Sequence, residues 1–145
     1  MLGDARSDDT DAAVDAALEL EELAPDGMDA PLILAIAWAE SRFDNRARPM
    51  CGVMQVGPRD MGEPRSRCAE WRASAWDGIM AGIREVRLIM TIRRVGGDLH
   101  RALEYRACGR KAFTRRCRKR RWLRRVEAIA ARLREPPYRI EGRGP

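Results

Sequence analysis

Apolar residues recur along this chain at three- and four-residue steps, in segments separated by Gly and Pro. That is the pattern of amphipathic helices joined by turns. Thr10 is placed to cap a helix from Asp11 to about Leu23, with an apolar stripe running through Val14 and Leu18 to the level of Glu21 and Glu22; Pro25-Asp26-Gly27 ends it. Pro31 suits the first turn of a second helix, which carries Glu40. From Asn45 to about Ser74 the chain reads as loop, because Pro49, Gly52, Gly57, Pro58, Gly62 and Pro64 interrupt any regular element. Helix returns with Ile79, Ile83, Val86 and Met90 as far as Gly96-Gly97, and Asp98 can cap the next helix, which bears Tyr105. A last helix from about Phe113 to Leu133 would bury Trp122, Val126, Ile129 and Leu133 before Pro136-Pro137 stops it. No stretch alternates β-branched residues as a half-buried strand does, and no segment repeats another. The expected architecture is mainly α, and 145 residues suit one core rather than two.

The second helix breaks its own pattern. In Leu32-Ile33-Leu34-Ala35-Ile36-Ala37-Trp38-Ala39-Glu40-Ser41-Arg42-Phe43 a single carboxylate interrupts an apolar run, and Ile33, Ile36, Ala37 and Glu40 share a face. A carboxyl group desolvated there, near the negative end of the helix dipole, holds its proton more tightly. A general acid has that property. The plainer alternative is a Glu at the edge of a core helix that reaches its carboxylate to solvent.

Roughly ten residues further on lies Cys51-Gly52-Val53-Met54-Gln55-Val56-Gly57-Pro58. The pair Glu40-Ser41-Arg42-Phe43 and Gly52-Val53-Met54-Gln55, with Pro58 beyond it, resembles the lysozyme-like lytic transglycosylases of the soluble-lytic-transglycosylase type and the related goose-type lysozymes. In that family a helix ending in Glu-Ser faces a Gly-x-Met-Gln turn across a sugar cleft. The resemblance continues through Gly82 in an apolar helix and Gly96-Gly97-Asp98 to Ala102-Leu103-Glu104-Tyr105-Arg106-Ala107-Cys108-Gly109. There the family's tyrosine falls at either Tyr105 or Arg106 and its asparagine is missing. A second family tyrosine is replaced near Glu85.

The resemblance covers about residues 28 to 110. It implies a lysozyme-like helical domain with a long cleft loop; with the helical pattern on either side, the chain divides into an acidic helix and linker (1–27), a catalytic domain that includes a basic C-terminal helix (28–135, the helix over 113–134) and a tail (136–145). It also implies an enzyme that cleaves the β-1,4 bond between N-acetylmuramic acid and N-acetylglucosamine in peptidoglycan. Glu40 would protonate the glycosidic oxygen and then act as base, either on the muramic 6-hydroxyl to give a 1,6-anhydro product or on water to give hydrolysis. No second carboxylate is obvious, which favours the anhydro route; Asp44 and Asp60 are the candidates for one. Gly52, the Met54 backbone and Gln55 would bind sugar groups, Ser41 would orient the loop, and Tyr105 would hydrogen-bond near Glu40. No metal or organic cofactor is implied. An inactive, wall-binding component of a phage particle is the alternative within the same fold.

Charge is unevenly placed. The first 30 residues hold ten acids against Arg6 alone, a net charge of −9 that leaves +15 for the remainder. Much of that excess lies in Arg115, Arg116, Arg118, Lys119, Arg120 and Arg121. Such a block is a solvated face balancing the acidic helix, or a surface for anionic cell-wall polymers, or a nucleic-acid contact. Only Phe113 and Trp122 accompany the arginines, so nucleic acid is the least favoured partner. Cys51, Cys68, Cys108 and Cys117 form an even set with no zinc-like spacing, and neighbours would pair as Cys51 with Cys68 and Cys108 with Cys117; four reduced, buried thiols are the other reading. Residues Met1 to Asp11 lack the features of a secretory signal, and no apolar run nears the roughly 18 residues of a membrane span. Disulfides without a signal suggest a phage particle, or release to the periplasm and cell wall by another route. His100 is the sole histidine, which disfavours His-based catalysis or a multi-His metal site. Ile140-Glu141-Gly142-Arg143 reads as a protease-cleavage tetrapeptide.

Overall fold

The computed structural model describes residues 2–136 and residue 140. Pro137 and residues 141–143 of the terminal tetrapeptide lie outside the described residues. Among the described residues six α-helices account for the architecture: α1 (Leu2–Leu20), α2 (Ala30–Ser41), α3 (Arg67–Trp71), α4 (Ala75–Met90), α5 (Leu99–Cys108) and α6 (Arg120–Leu133). Among the described residues no strand forms, and the sole extended pairing is a bridge between Cys51 and Val56.

The caps explain where the helices begin. Asp29 accepts from the Leu32 amide at 3.1 Å, Ser74 from the Asp77 amide at 3.0 Å and Asp98 from the Arg101 amide at 2.8 Å, so each helix has one orphan N–H satisfied. At α2 the buried Glu21 carboxylate takes another, from Ala30 at 2.8 Å. Asp29 also holds Arg134 at 2.8 Å, fastening the start of α2 to the end of α6. Every residue of α2 from Ala30 to Ala37 is buried. With α1 and α6 packed on it, this helix is the axis of the core.

Two helices differ from the periodic reading. α1 continues through Thr10 as far back as Leu2, because propagation gains one hydrogen bond per residue fixed and a mid-helix Thr does not halt it. Its buried stripe is Ala13, Ala16, Ala17 and Leu20, while Leu18 is exposed. Three alanines let α1 lie close against α2 and α4, so the acidic helix contributes to the core. α6 starts at Arg120 rather than Phe113. Residues 109–113 form a 3-10 turn instead, and the Arg120 guanidinium donates to the carbonyls of Ala112, Thr114 and Cys117 and to Glu104. Side-chain capture of those carbonyls replaces the helical bonds that this stretch lacks.

The expected loop over 45–74 holds a 3-10 turn at Pro58–Met61 and the short α3. Two disulfides close it and its counterpart: Cys51–Cys68, with Cα atoms 5.2 Å apart, and Cys108–Cys117, at 5.5 Å. They span 17 and 9 residues, so loop entropy puts them at about 3 and about 2.5 kcal/mol. Full reduction should therefore lower unfolding free energy by several kcal/mol in a urea titration. No difference between oxidised and reduced protein would contradict the pairing.

Candidate active site

Glu40 occupies the last turn of α2, and the residues just beyond it stop the helix abruptly. Arg42 and Phe43 both adopt left-handed backbone conformations, with φ of 55° and 64°. Phe43 packs back on Trp38 at 5.5 Å between ring centroids, and the Arg42 guanidinium sits 4.4 Å over the same Trp38. Next to Glu40 the buried Ser41 hydroxyl lies 2.9 Å from the Ala37 carbonyl and 2.6 Å from the Val53 carbonyl. The Val53 bond couples the end of α2 to the loop across from it.

That loop is built as a closed turn. Cys51 and Val56 exchange backbone hydrogen bonds at 3.2 and 2.9 Å. Gly52 has a φ of +75°, and a Cβ there would stand 2.6 Å from the Trp71 carbonyl, so only glycine fits. Its role is steric. The Gln55 amide is spent inside the turn: Nε2 donates to Ala47 and Gly52 carbonyls at 2.9 Å each, and Oε1 accepts from the Met50 amide at 3.0 Å. Gln55, expected from its motif to bind sugar, holds the loop in shape with these bonds. Met54 is fully buried, and a side chain at Gly82 would run into its thioether, which explains the glycine of α4.

The centre of the site is Arg106, on α5. Its Nε lies 2.5 Å from Glu85 Oε1, its Nη1 3.3 Å from Glu40 Oε1, and its Nη2 donates to the Met54 carbonyl. One guanidinium thus fastens α2, α4, α5 and the loop together. Of the two positions left open for the family's tyrosine, Arg106 faces Glu40, whereas Tyr105 packs on Phe113 at 5.8 Å. The Met54 carbonyl, expected to meet sugar, is occupied by Arg106.

A cavity of about 500 Å3 opens in front of this cluster, lined by Glu40, Gln55, Asp60, Glu85, Arg106 and Trp122 among others. A neighbouring cavity of about 410 Å3 shares Asp60, Glu85 and Arg106 and extends past Tyr105 and Leu88. Together they form one cleft, with the Glu85–Arg106 pair at its floor. Glu40 is less enclosed than its periodicity predicts, with 27% of its side chain exposed, because it stands at the rim where α2 meets the cavity. No described residue bonds to its second oxygen, Oε2. Of the two candidate second carboxylates, Asp60 lies in the cleft. Asp44 does not line it: it is exposed and caps a local turn by accepting from the Arg46 amide at 2.9 Å.

No family model, no characterised protein and no solved structure matches this chain.

Glu85 is the carboxylate that sequence reasoning overlooked. Its signal was present: it interrupts the apolar face of α4 between Ala81, Gly82 and Ile89, as Glu40 interrupts that of α2. Its side chain is 9% exposed and that of Arg106 7%. Burial pushes the Glu85 carboxyl above its ordinary value of 4.5; the Arg106 guanidinium opposes that rise, and the carboxylates of Asp60 and Glu40 add to it. A carboxyl that binds its proton more tightly folded than unfolded favours the folded state at low pH, and this contribution fades as pH climbs through the raised value. The stability difference between parent and Glu85→Gln should therefore drift against the parent as pH rises from about 4.5. Parallel stability curves for the two proteins would remove Glu85 from that role.

Among the described residues no group of three or more His, Cys, Asp or Glu is arranged to hold a metal ion, and no helix is long and apolar enough to cross a membrane.

Proposed function

We propose that this protein is a lysozyme-like lytic transglycosylase that cleaves the β-1,4 bond between N-acetylmuramic acid and N-acetylglucosamine in peptidoglycan. The observation that carries this reading is Glu40: a carboxylate at the end of a buried helix, held by one oxygen and uncommitted at the other, facing a cleft large enough for sugar rings. Glu40 gives its proton to the glycosidic oxygen as the bond to the muramic C1 breaks, and positive charge develops at that ring. The resulting Glu40 carboxylate takes the proton of the muramic 6-hydroxyl, whose oxygen closes on C1 as the 1,6-anhydro bond. One residue serves both halves and is restored.

The Glu85–Arg106 pair supports this cycle by position. Glu85 holds Arg106 at 2.5 Å, and the guanidinium so held lies 3.3 Å from Glu40 and orients it at the cleft. Two disulfides suit a chain that works in an oxidising compartment, such as the cell wall face or a phage particle.

Incubation with purified peptidoglycan sacculi tests the proposal, with release of soluble glycan fragments as the expected result and intact sacculi as the contrary one. In the same assay Asp60→Asn should cut at close to the parent rate, since the anhydro route needs one carboxylate. A drop of about 10² or more, the scale of a missing catalytic group, would instead make Asp60 a second carboxylate and the reaction hydrolytic. Arg106 at the side of Glu40 also favours a second reading, a wall-binding domain of the same fold that holds glycan without cutting it. Sacculi that bind the protein and stay intact would select it.

A further inference from the structure

A further cavity, of about 700 Å3, shares no lining residue with either cavity of the Glu40 cleft. It opens between the turn after α4, the first half of α5, the 109–116 segment and the start of α6. Four arginines line it, Arg94, Arg101, Arg115 and Arg120, with a single acid, Glu104. Arg120 is committed to Glu104 at 3.2 Å and to three backbone carbonyls. Arg94, Arg101 and Arg115 have no ion pair among the described residues. Three uncompensated cations around one concavity repel each other, and an anion placed among them relieves that repulsion.

The arrangement is also partly set in advance. The Arg94 guanidinium lies 4.3 Å over the Phe113 ring, a contact that favours this position, and the Cys108–Cys117 disulfide closes the segment that carries Arg115. A ligand then has less side-chain freedom to freeze on binding.

We propose that this cavity binds successive phosphate groups of a phosphodiester-linked polyol chain. Guanidinium forks match the oxyanion geometry of phosphate, and the volume accommodates several units of a linear chain rather than one small ion. Nucleic acid carries the same phosphates, but proteins that grip single strands add aromatic faces on which bases stack. Phe113 cannot serve as one, since Arg94 covers it and Tyr105 packs against it. The proposal does not depend on catalysis at Glu40, because it is read by binding alone.

The test titrates the full chain with poly(glycerol phosphate), and separately with single-stranded DNA of equal charge, at about 0.15 M salt and at higher salt. The triple variant Arg94→Gln, Arg101→Gln, Arg115→Gln should bind the polyol phosphate at least about tenfold more weakly, with a salt slope flatter by about 2, roughly 0.7 for each phosphate no longer neutralised. A control of equal charge change, Arg118→Gln, Arg121→Gln, Arg124→Gln, should bind much as the parent does. Equal weakening in the control would reduce the effect to bulk charge and overturn the site. Failure of the parent to bind, or DNA binding as tight as that of the polyol phosphate, would overturn it too.

Discussion

Replacing Glu40 with Gln should lower the rate of peptidoglycan cleavage by about 10⁴ or more while leaving the fold in place. General acid or base help is typically worth about 10² to 10⁴, and here one side chain serves in both halves of the reaction. Gln keeps the length of Glu and can still accept from Arg106 through its amide oxygen, but it has no proton to transfer. Because Glu40 is partly exposed at the cleft rim and no described residue bonds its Oε2, the substitution strands no buried charge. Melting should stay near the parent's. A folded Glu40→Gln protein that still cleaves at a comparable rate would remove Glu40 from the chemistry and make Asp60 and Glu85 the next residues to vary.

Of the single substitutions, Arg106→Ala should have the largest effect on stability. Removing one partner of a buried ion pair leaves the other desolvated and uncompensated, at a cost of about 3–5 kcal/mol. Here the stranded groups are Glu85, with 9% of its side chain exposed, and the Met54 carbonyl, while Glu40 is left without the guanidinium that orients it. Adding Glu85→Gln to Arg106→Ala should recover part of the deficit, because it takes the unpaired charge away. A double-mutant cycle by urea unfolding reads this directly. If the two changes simply add, Arg106 and Glu85 do not act as a pair and the proposed cleft floor fails.

Much of the fold is legible in the sequence because its signals are local. Asp98 caps the helix it is placed to cap, and Gly52 stands where a left-handed turn passes close to the Trp71 carbonyl. The features that escape a sequence reading depend on side-chain contacts rather than on apolar spacing. That spacing gives no sign that Arg115 to Lys119 stays outside the last helix; the Arg120 guanidinium, which takes the Ala112 and Thr114 carbonyls, and the Cys108–Cys117 bridge decide it. Gln55 has a structural task that its motif does not announce, since its amide holds together the turn that carries it. Glu85 and Arg106 each lie on an apolar helix face, 21 residues apart, and either alone reads as a side chain reaching for solvent. Only their meeting under Glu40 gives them a role.

Mass spectrometry of the soluble fragments from peptidoglycan digested by the parent and by Glu40→Gln tests the central claim most directly. The parent should release glycans ending in 1,6-anhydro-muramic acid, lighter by one water than hydrolytic ends, and Glu40→Gln should release none above background. Fragments absent from the parent digest, or the same ends produced equally by both proteins, would contradict it.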